Sequence, residues 1–183
     1  MNVPVLETGR LVLRGYRLED FESHAAIWAD PRTRRYFEGE YSEEDIWLRF
    51  LRNFGQWALF GYGYWAVQDK ASGRHVGAVG FFQARRPCDI PYRDQPETGW
   101  VIAPDFHGRG LAREAVAAAM AWGDLNIEAP QSWCMINPDN AVSRKVAEAA
   151  GYRQALSTEY KGRPVLTFLR SRGGLRPRGG RDA

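Results

Sequence analysis

Between Gly99 and Tyr152 the chain reads as strand, glycine-bearing loop, helix, strand and a second capped helix, with His107-Gly108-Arg109-Gly110-Leu111-Ala112 at the centre. Two glycines directly before an apolar helix let the backbone come close to an anion, and the unpaired N–H groups of the helix's first turn point at it. That combination predicts a phosphorylated ligand. A strand, helix, strand order also predicts that the two strands lie parallel, joined by a right-handed crossover. The chain is therefore expected to be an α/β fold built round this unit.

The other elements follow from periodicity and caps. Leu111, Ala115, Ala119 and Trp122 recur at helical spacing, predicting a helix to about Gly123, and Ser132 to Ile136 supplies the following strand after Ala129-Pro130. Asn140 caps the next helix through Ala150, which Gly151 closes. Upstream, Leu11 to Arg14 reads as an opening strand and Asp20 to Ala29 as a short amphipathic helix ending before Pro31. Ser42 is an N-cap with Glu43, Glu44 and Asp45 in the first turn, and Ile46, Trp47, Phe50, Leu51, Phe54 and Ala58 form its apolar stripe. Tyr64 to Asp69 and His75 to Gln83 form an antiparallel hairpin, Arg85 to Gln95 a polar loop, and Glu97 to Ile102 the strand before the glycine loop. Tyr152 to Thr158 and Pro164 to Leu169 make a last pair around Lys161-Gly162. The sum is a mixed sheet with flanking helices.

Composition narrows the function classes. A chain of 183 residues with 44% hydrophobic content suits one domain, here residues 1–169, followed by a basic Arg/Gly-rich tail, residues 170–183. Five Arg against one Asp give that tail a charge of +4, so residues 1–169 carry −1 of the net +3. A near-neutral body does not offer a nucleic-acid surface. The tail is expected to be disordered, the alternative being a weak RNA or ribosome contact. No cationic head precedes an apolar run at the N-terminus, and no run reaches the roughly 18 apolar residues of a membrane span, so a cytoplasmic chain with no membrane partner is expected. Two cysteines, Cys88 and Cys134, with three His argue against a disulfide scaffold and against a metal site.

Three phosphate loops compete for the glycines. A Walker A loop is absent, and a dinucleotide fingerprint puts Arg113 where a third small residue belongs, with Glu128 at the distance of a ribose contact. The remaining reading is a coenzyme A pyrophosphate loop, and here the chain resembles the GNAT superfamily of acyl-CoA N-acyltransferases. His107 stands in the motif's leading position, where the family has Gln or Arg, with Gly110 and Ala112 in its small-residue positions. Pro104-Asp105-Phe106, Arg113-Glu114-Ala115, Asn140-Ala141-Val142-Ser143 and Ala149-Ala150-Gly151-Tyr152 extend the match. Leu6 to Arg14 and Glu97-Thr98-Gly99-Trp100 resemble the branch that includes RimJ/RimL-type ribosomal-protein N-terminal acetyltransferases.

The resemblance implies a central mixed, mostly antiparallel sheet with a splayed parallel strand pair at the acyl-CoA site. It also implies acetyl-CoA as cosubstrate and transfer of its acetyl group to a primary amine, a protein N-terminus or a small molecule, by direct attack in a ternary complex. The chain would act as a monomer or homodimer. Trp100, Val101 and Ile102 would offer backbone groups to the pantetheine arm, and Gly108, Arg109, Gly110, Leu111, Ala112 and Arg113 would hold the pyrophosphate. Asn140 would bind the pantetheine, or be no more than a cap, and Ser143 would donate to the departing thiolate. The aromatic residues Trp28, Tyr36, Phe37, Tyr41 and Trp47 would line the acceptor pocket, the alternative being core, with Glu38 and Glu40 beside them.

An alkyl ammonium has a pKa of about 10, so attack by the neutral amine calls for a base. Where some relatives carry a glutamate and a tyrosine, this chain has Met135 and Ala147. Glu97 is the substitute base, since it shares its strand and parity with Gly99 and Val101, although an ion pair with Arg93 would explain it as well. Those two departures also motivate an alternative, a non-catalytic acyl-CoA-binding or interaction module.

Overall fold

Alternation of apolar and polar residues in Leu11-Val12-Leu13-Arg14 buries Leu11 and Leu13 completely, the pattern of a strand with one face on a core. In the computed structural model, which describes residues 2–37 and 41–174, β1 (Leu6–Glu7) precedes this strand, β2 (Leu11–Arg14), and pairs with it antiparallel. Helix α1 (Phe21–Ala29) follows, then α2 (Pro31–Arg34), a single turn started by the Asp30 cap with proline at its first position.

Helix α3 (Glu43–Phe60) starts in a capping box: Ser42 Oγ accepts from Asp45 N–H at 3.1 Å and Asp45 Oδ2 from Ser42 N–H at 2.9 Å. The helix buries Ile46, Phe50, Asn53 and Trp57. That stripe is narrower than the sequence pattern, because Leu51 and Ala58 fall on the solvent side of the turn, Leu51 being 42% exposed. Trp47 is half-buried against Phe21 and Phe50, and so belongs to a core cluster.

The hairpin of β3 (Tyr64–Asp69) and β4 (His75–Phe82) is antiparallel as expected, and β5 (Glu97–Ile102) runs antiparallel to β4. Next come α4 (Leu111–Asn126), β6 (Gln131–Ile136), α5 (Ala141–Ala149) and the hairpin of β7 (Arg153–Tyr160) and β8 (Arg163–Ser171). One eight-stranded sheet results, in the order β1-β2-β3-β4-β5-β6-β8-β7. Helix α4 packs Val116, Ala119 and Met120 into the main core with Trp65, Val79 and Phe81, while Tyr16, Phe50, Ala66 and Ala78 form a second cluster.

Every neighbouring pair is antiparallel except β5 and β6, which run parallel and pair at one position, Glu97 with Trp133. Beyond it the two strands part. The buried hydroxyl of Tyr152 ties the parting strands together at their base: it lies 2.6 Å from Thr98 Oγ1 on β5 and 2.6 Å from Ser132 Oγ on β6.

The fold extends past the expected boundary at Leu169. Strand β8 runs to Ser171, the Arg170 fork meets both Asp124 oxygens at 2.6 and 2.7 Å, and Arg172 Nε donates to Asp124 O at 2.9 Å. Two tail arginines are thereby part of the fold, paired with an acid on α4 rather than offered to a polyanion. The rest of the tail expectation, from residue 175, lies outside the described residues, as do Glu38 and Glu40.

Replacing Tyr152 by Phe removes the shared hydroxyl and leaves Thr98, 1% exposed, and Ser132, 9% exposed, short of a partner. Tyr152→Phe is expected to cost about 1–3 kcal/mol of unfolding free energy, measured by urea denaturation.

Candidate active site

The gap between β5 and β6 exposes a defined set of backbone groups. Ala103 N–H donates to Val76 O at 2.8 Å on the β4 side, and Trp133 N–H donates to Pro96 O at 3.1 Å on the β6 side. By the alternation of an antiparallel ladder, Gly99 and Val101 turn their N–H and C=O to β4, and Trp100 and Ile102 turn theirs to the gap. Val101 therefore has no backbone group to offer, which corrects the expectation for it. The Ile102 carbonyl is taken as well, by His107 Nε2 at 2.7 Å. What faces the gap without a ladder partner is the Trp100 N–H and C=O and the Ile102 N–H.

Past Ile102 the chain makes a short turn and enters the glycine loop. Gly108 and Gly110 have φ of +75° and +74°, a left-handed conformation that L side chains adopt only with strain. A Cβ at Gly108 would meet nothing within 4 Å, so the loop needs glycine there for its conformation and has free space in front of it. Arg10 pins the loop from behind: its Nη1 donates to Arg109 O at 2.7 Å and its Nε to Glu114 Oε2 at 2.7 Å. Thr8 Oγ1 adds a bond to Glu114 Oε1 at 2.6 Å. Leu111, 3% exposed, anchors the helix start in the core and so can offer only its N–H, while Ala112 is half-buried. His107, Arg109 and Arg113 are exposed, and the Arg109 guanidinium lies 4.9 Å from the Phe106 ring. His107 acts as a strut between loop and strand.

On the Glu97 side of the gap lies a cleft of about 300 Å³. The structure brings Glu97, Trp100, Val101, Asn140 and Ser143 to its lining, together with Trp28, Tyr36, Phe37 and Tyr41. Ile102 and residues 107–113 do not line it and stand at the opposite end of β5, and Trp47 sits in the core instead. Asn140 spends its Oδ1 on the cap, accepting from Ser143 N–H at 3.0 Å, which leaves its amide NH2 for the cleft. Met135 lines the cleft while Ala147 is buried in the core. Cys134 borders the cleft but is 1% exposed, and burial pushes its thiol well above the ordinary range, which disfavours the thiolate.

Glu97 is 3% exposed and is held by Arg86, not by Arg93: Arg86 Nε and Nη2 donate to its two oxygens at 2.6 and 2.7 Å. Burial raises its pKa and the Arg86 fork opposes that rise. Sequence reasoning missed Arg86, which sits in an irregular loop, and also Arg49 and Arg52 on α3, which line the cleft. A basic pair three residues apart beside the apolar stripe of α3 was the legible signal for the latter two. His24 also lines the cleft, and its Nε2 has no hydrogen-bond partner among the described residues.

A splayed parallel pair beside a left-handed glycine loop at a helix start is the framework of an acyl-CoA-dependent acyltransferase. The family model of the Acetyltransferase (GNAT) domain matches residues 10–153, and the chain belongs to that family. Its structure is similar to that of a Bordetella pertussis protein assigned to the GnaT acetyltransferase family, with a TM-score of 0.81 at 30% identity, covering 92% of this chain and 100% of that one. YkkB of Bacillus subtilis (strain 168), itself uncharacterized, is 26% identical over 146 residues, 79% of this chain and 81% of YkkB. RimL, a ribosomal L7/L12 α-N-protein acetyltransferase solved in complex with coenzyme A, shares the fold with a TM-score of 0.72 at 14% identity, over 92% of this chain and 98% of RimL. The protein is an acyl-CoA-dependent acetyltransferase with RimJ/RimL-type enzymes among its structural neighbours.

The histidines behind the cleft make stability pH-dependent. Burial, reinforced by His75, Arg49 and Arg52, lowers His24 to about 3, and burial, opposed by Asp20, lowers His75 to about 4. In the unfolded chain both titrate near about 6.5, so between that pH and about 4 the unfolded state binds more protons and acidification destabilises the fold. Urea unfolding at pH 7 and pH 5 should differ by roughly 2–4 kcal/mol, and His24→Gln should remove about half of the difference.

Proposed function

We propose that the protein transfers an acetyl group from acetyl-CoA to a primary amine by direct attack in a ternary complex. The observation that carries this reading is a buried carboxylate, Glu97, in the same cleft as the unpaired Trp100 backbone and Ser143. Residues 108–113 hold the pyrophosphate through loop N–H groups, the helix start and the charges of Arg109 and Arg113. Trp100 and Ile102 hold the pantetheine arm across the gap in place of a β6 ladder, and the Asn140 amide adds a donor. A Trp100 N–H in that gap is suited to stabilising the negative charge that develops on the thioester oxygen.

Glu97 takes the proton from the acceptor ammonium. A carboxyl raised by burial is a stronger base than an exposed one, and the Arg86 fork fixes its orientation while leaving one outward lone pair on each oxygen. Ser143 donates to the departing thiolate from the first turn of α5, whose N-terminus favours negative charge. No helix among the described residues is long and apolar enough to cross a membrane.

Release of free thiol from acetyl-CoA over a panel of amines and peptides tests the reading; coenzyme A binding without turnover on any amine would overturn it. Glu97→Gln is expected to lower kcat by about 10²-fold or more and to abolish the acid limb of the pH–rate profile, with coenzyme A affinity retained. Ser143→Ala should lower kcat by roughly 10- to 100-fold. An unchanged acid limb in Glu97→Gln would assign the proton to another group.

A further inference from the structure

The acceptor side of the cleft is cationic. Among the described residues Glu97 is the one carboxylate in its lining, and Arg86 cancels its charge. Arg49 and Arg52 also line the cleft, and neither has an ion-pair partner among the described residues. The Arg49 guanidinium lies 4.1 Å from the Trp28 ring and 4.6 Å from the Tyr41 ring, fixed between two aromatic faces. Trp28 is 7% exposed, yet its indole N–H has no partner. A buried donor without an acceptor costs free energy, as does a half-buried cation without a counter-ion. Both costs are removed by one anion in the cleft.

The phosphates of coenzyme A are not that anion. Arg52 lies over Phe82, which pairs with Glu97, whereas the glycine loop follows Ile102 at the other end of β5, roughly 17 Å away. The cleft of about 300 Å³ sits at the small end of ligand sites and is walled by aromatic rings, which fits a compact molecule better than a protein surface. A guanidinium fork matches a planar carboxylate in shape as well as in charge.

We infer that the acceptor is a small primary amine carrying a carboxylate, an amino acid or a close analogue, and that Arg49 and the Trp28 indole N–H hold the carboxylate while Arg52 adds attraction at the mouth. The inference rests on the amine transfer proposed above and names its substrate class. Arg49 is then a specificity residue, placing the acceptor amine beside Glu97 and the Trp100 gap.

Matched acceptors test it on the full chain: L-phenylalanine against L-phenylalaninamide and phenethylamine, L-alanine against L-alaninamide, with spermidine and a neutral peptide as further arms. The carboxylates should exceed their amides by about tenfold or more in kcat/KM. Arg49→Gln should bring the ratio close to one, and Arg49→Lys should restore part of it. Thermal unfolding and coenzyme A affinity report whether each variant is folded. A readout independent of turnover is calorimetric binding of N-acetyl-L-phenylalanine against its amide in the presence of coenzyme A, with the same preference expected. Equal or better transfer to amides, spermidine or the peptide overturns the inference while leaving amine acetylation standing. Transfer to no amine overturns the amine reading itself, and the product-binding preference then decides the carboxylate site on its own.

Discussion

The structure turns on two parallel strands that meet at one residue pair and then separate. Backbone N–H and C=O groups inside a protein need partners, and most of β5 finds them on β4. From Trp100 onward the β6 side has none to give, because β5 and β6 pair only at Glu97 and Trp133 and part beyond it. The opening is held by geometry rather than by flexibility: Tyr152 links Thr98 to Ser132 at its base, and β8 and α5 carry β6 away from β5. A ligand with amide groups spaced like a peptide can complete the ladder there. In the proposed function the pantetheine arm is that ligand.

Around that gap the molecule places positive charge at both ends of β5. At the Ile102 end are exposed N–H groups and arginines on a loop braced by Arg10 and Glu114. At the Glu97 end is a buried acid whose charge is matched by Arg86, in a cleft lined by aromatic rings and by three further arginines, Arg49, Arg52 and Arg163. A buried ion pair with a two-pronged fork costs desolvation and returns orientation. Orientation is what the proton-accepting role proposed for Glu97 requires. Arg49 and Arg52 have no ion-pair partner among the described residues, and Lys161 and Arg163 add to the cationic lining.

Much of this was legible in the residues. Strand β5 has the bounds predicted for it, α3 starts at the predicted Ser42 cap, and the crossover from β5 to β6 is parallel, because each is encoded by local periodicity or by a cap. Glycines 108 and 110 announced the loop for the same reason. Sequence reading went wrong where tertiary packing decides. Val101 loses its role to the phase of the β4 ladder, which no single strand displays. Glu97 pairs with Arg86 instead of the nearer-seeming Arg93, because the loop from residue 83 to 96 folds back over the Glu97 end of β5. Trp47 joins the core although Trp28 and Tyr41 reach the cleft. The basic tail was drawn too long, since a C-terminal run of Arg and Gly gives no hint that Arg170 meets Asp124 on α4.

Strand order adds a consequence for how the protein comes into being. Strand β8 is inserted between β6 and β7 and supplies Arg163 and Val165 to the wall of the cleft, with Tyr160 from the end of β7. On a chain emerging from the ribosome amino end first, β6 keeps an unsatisfied edge until these last residues arrive. The glycine loop at residues 107–113 lies ahead of these wall residues in the chain, so the two ends of β5 are completed at different stages of synthesis.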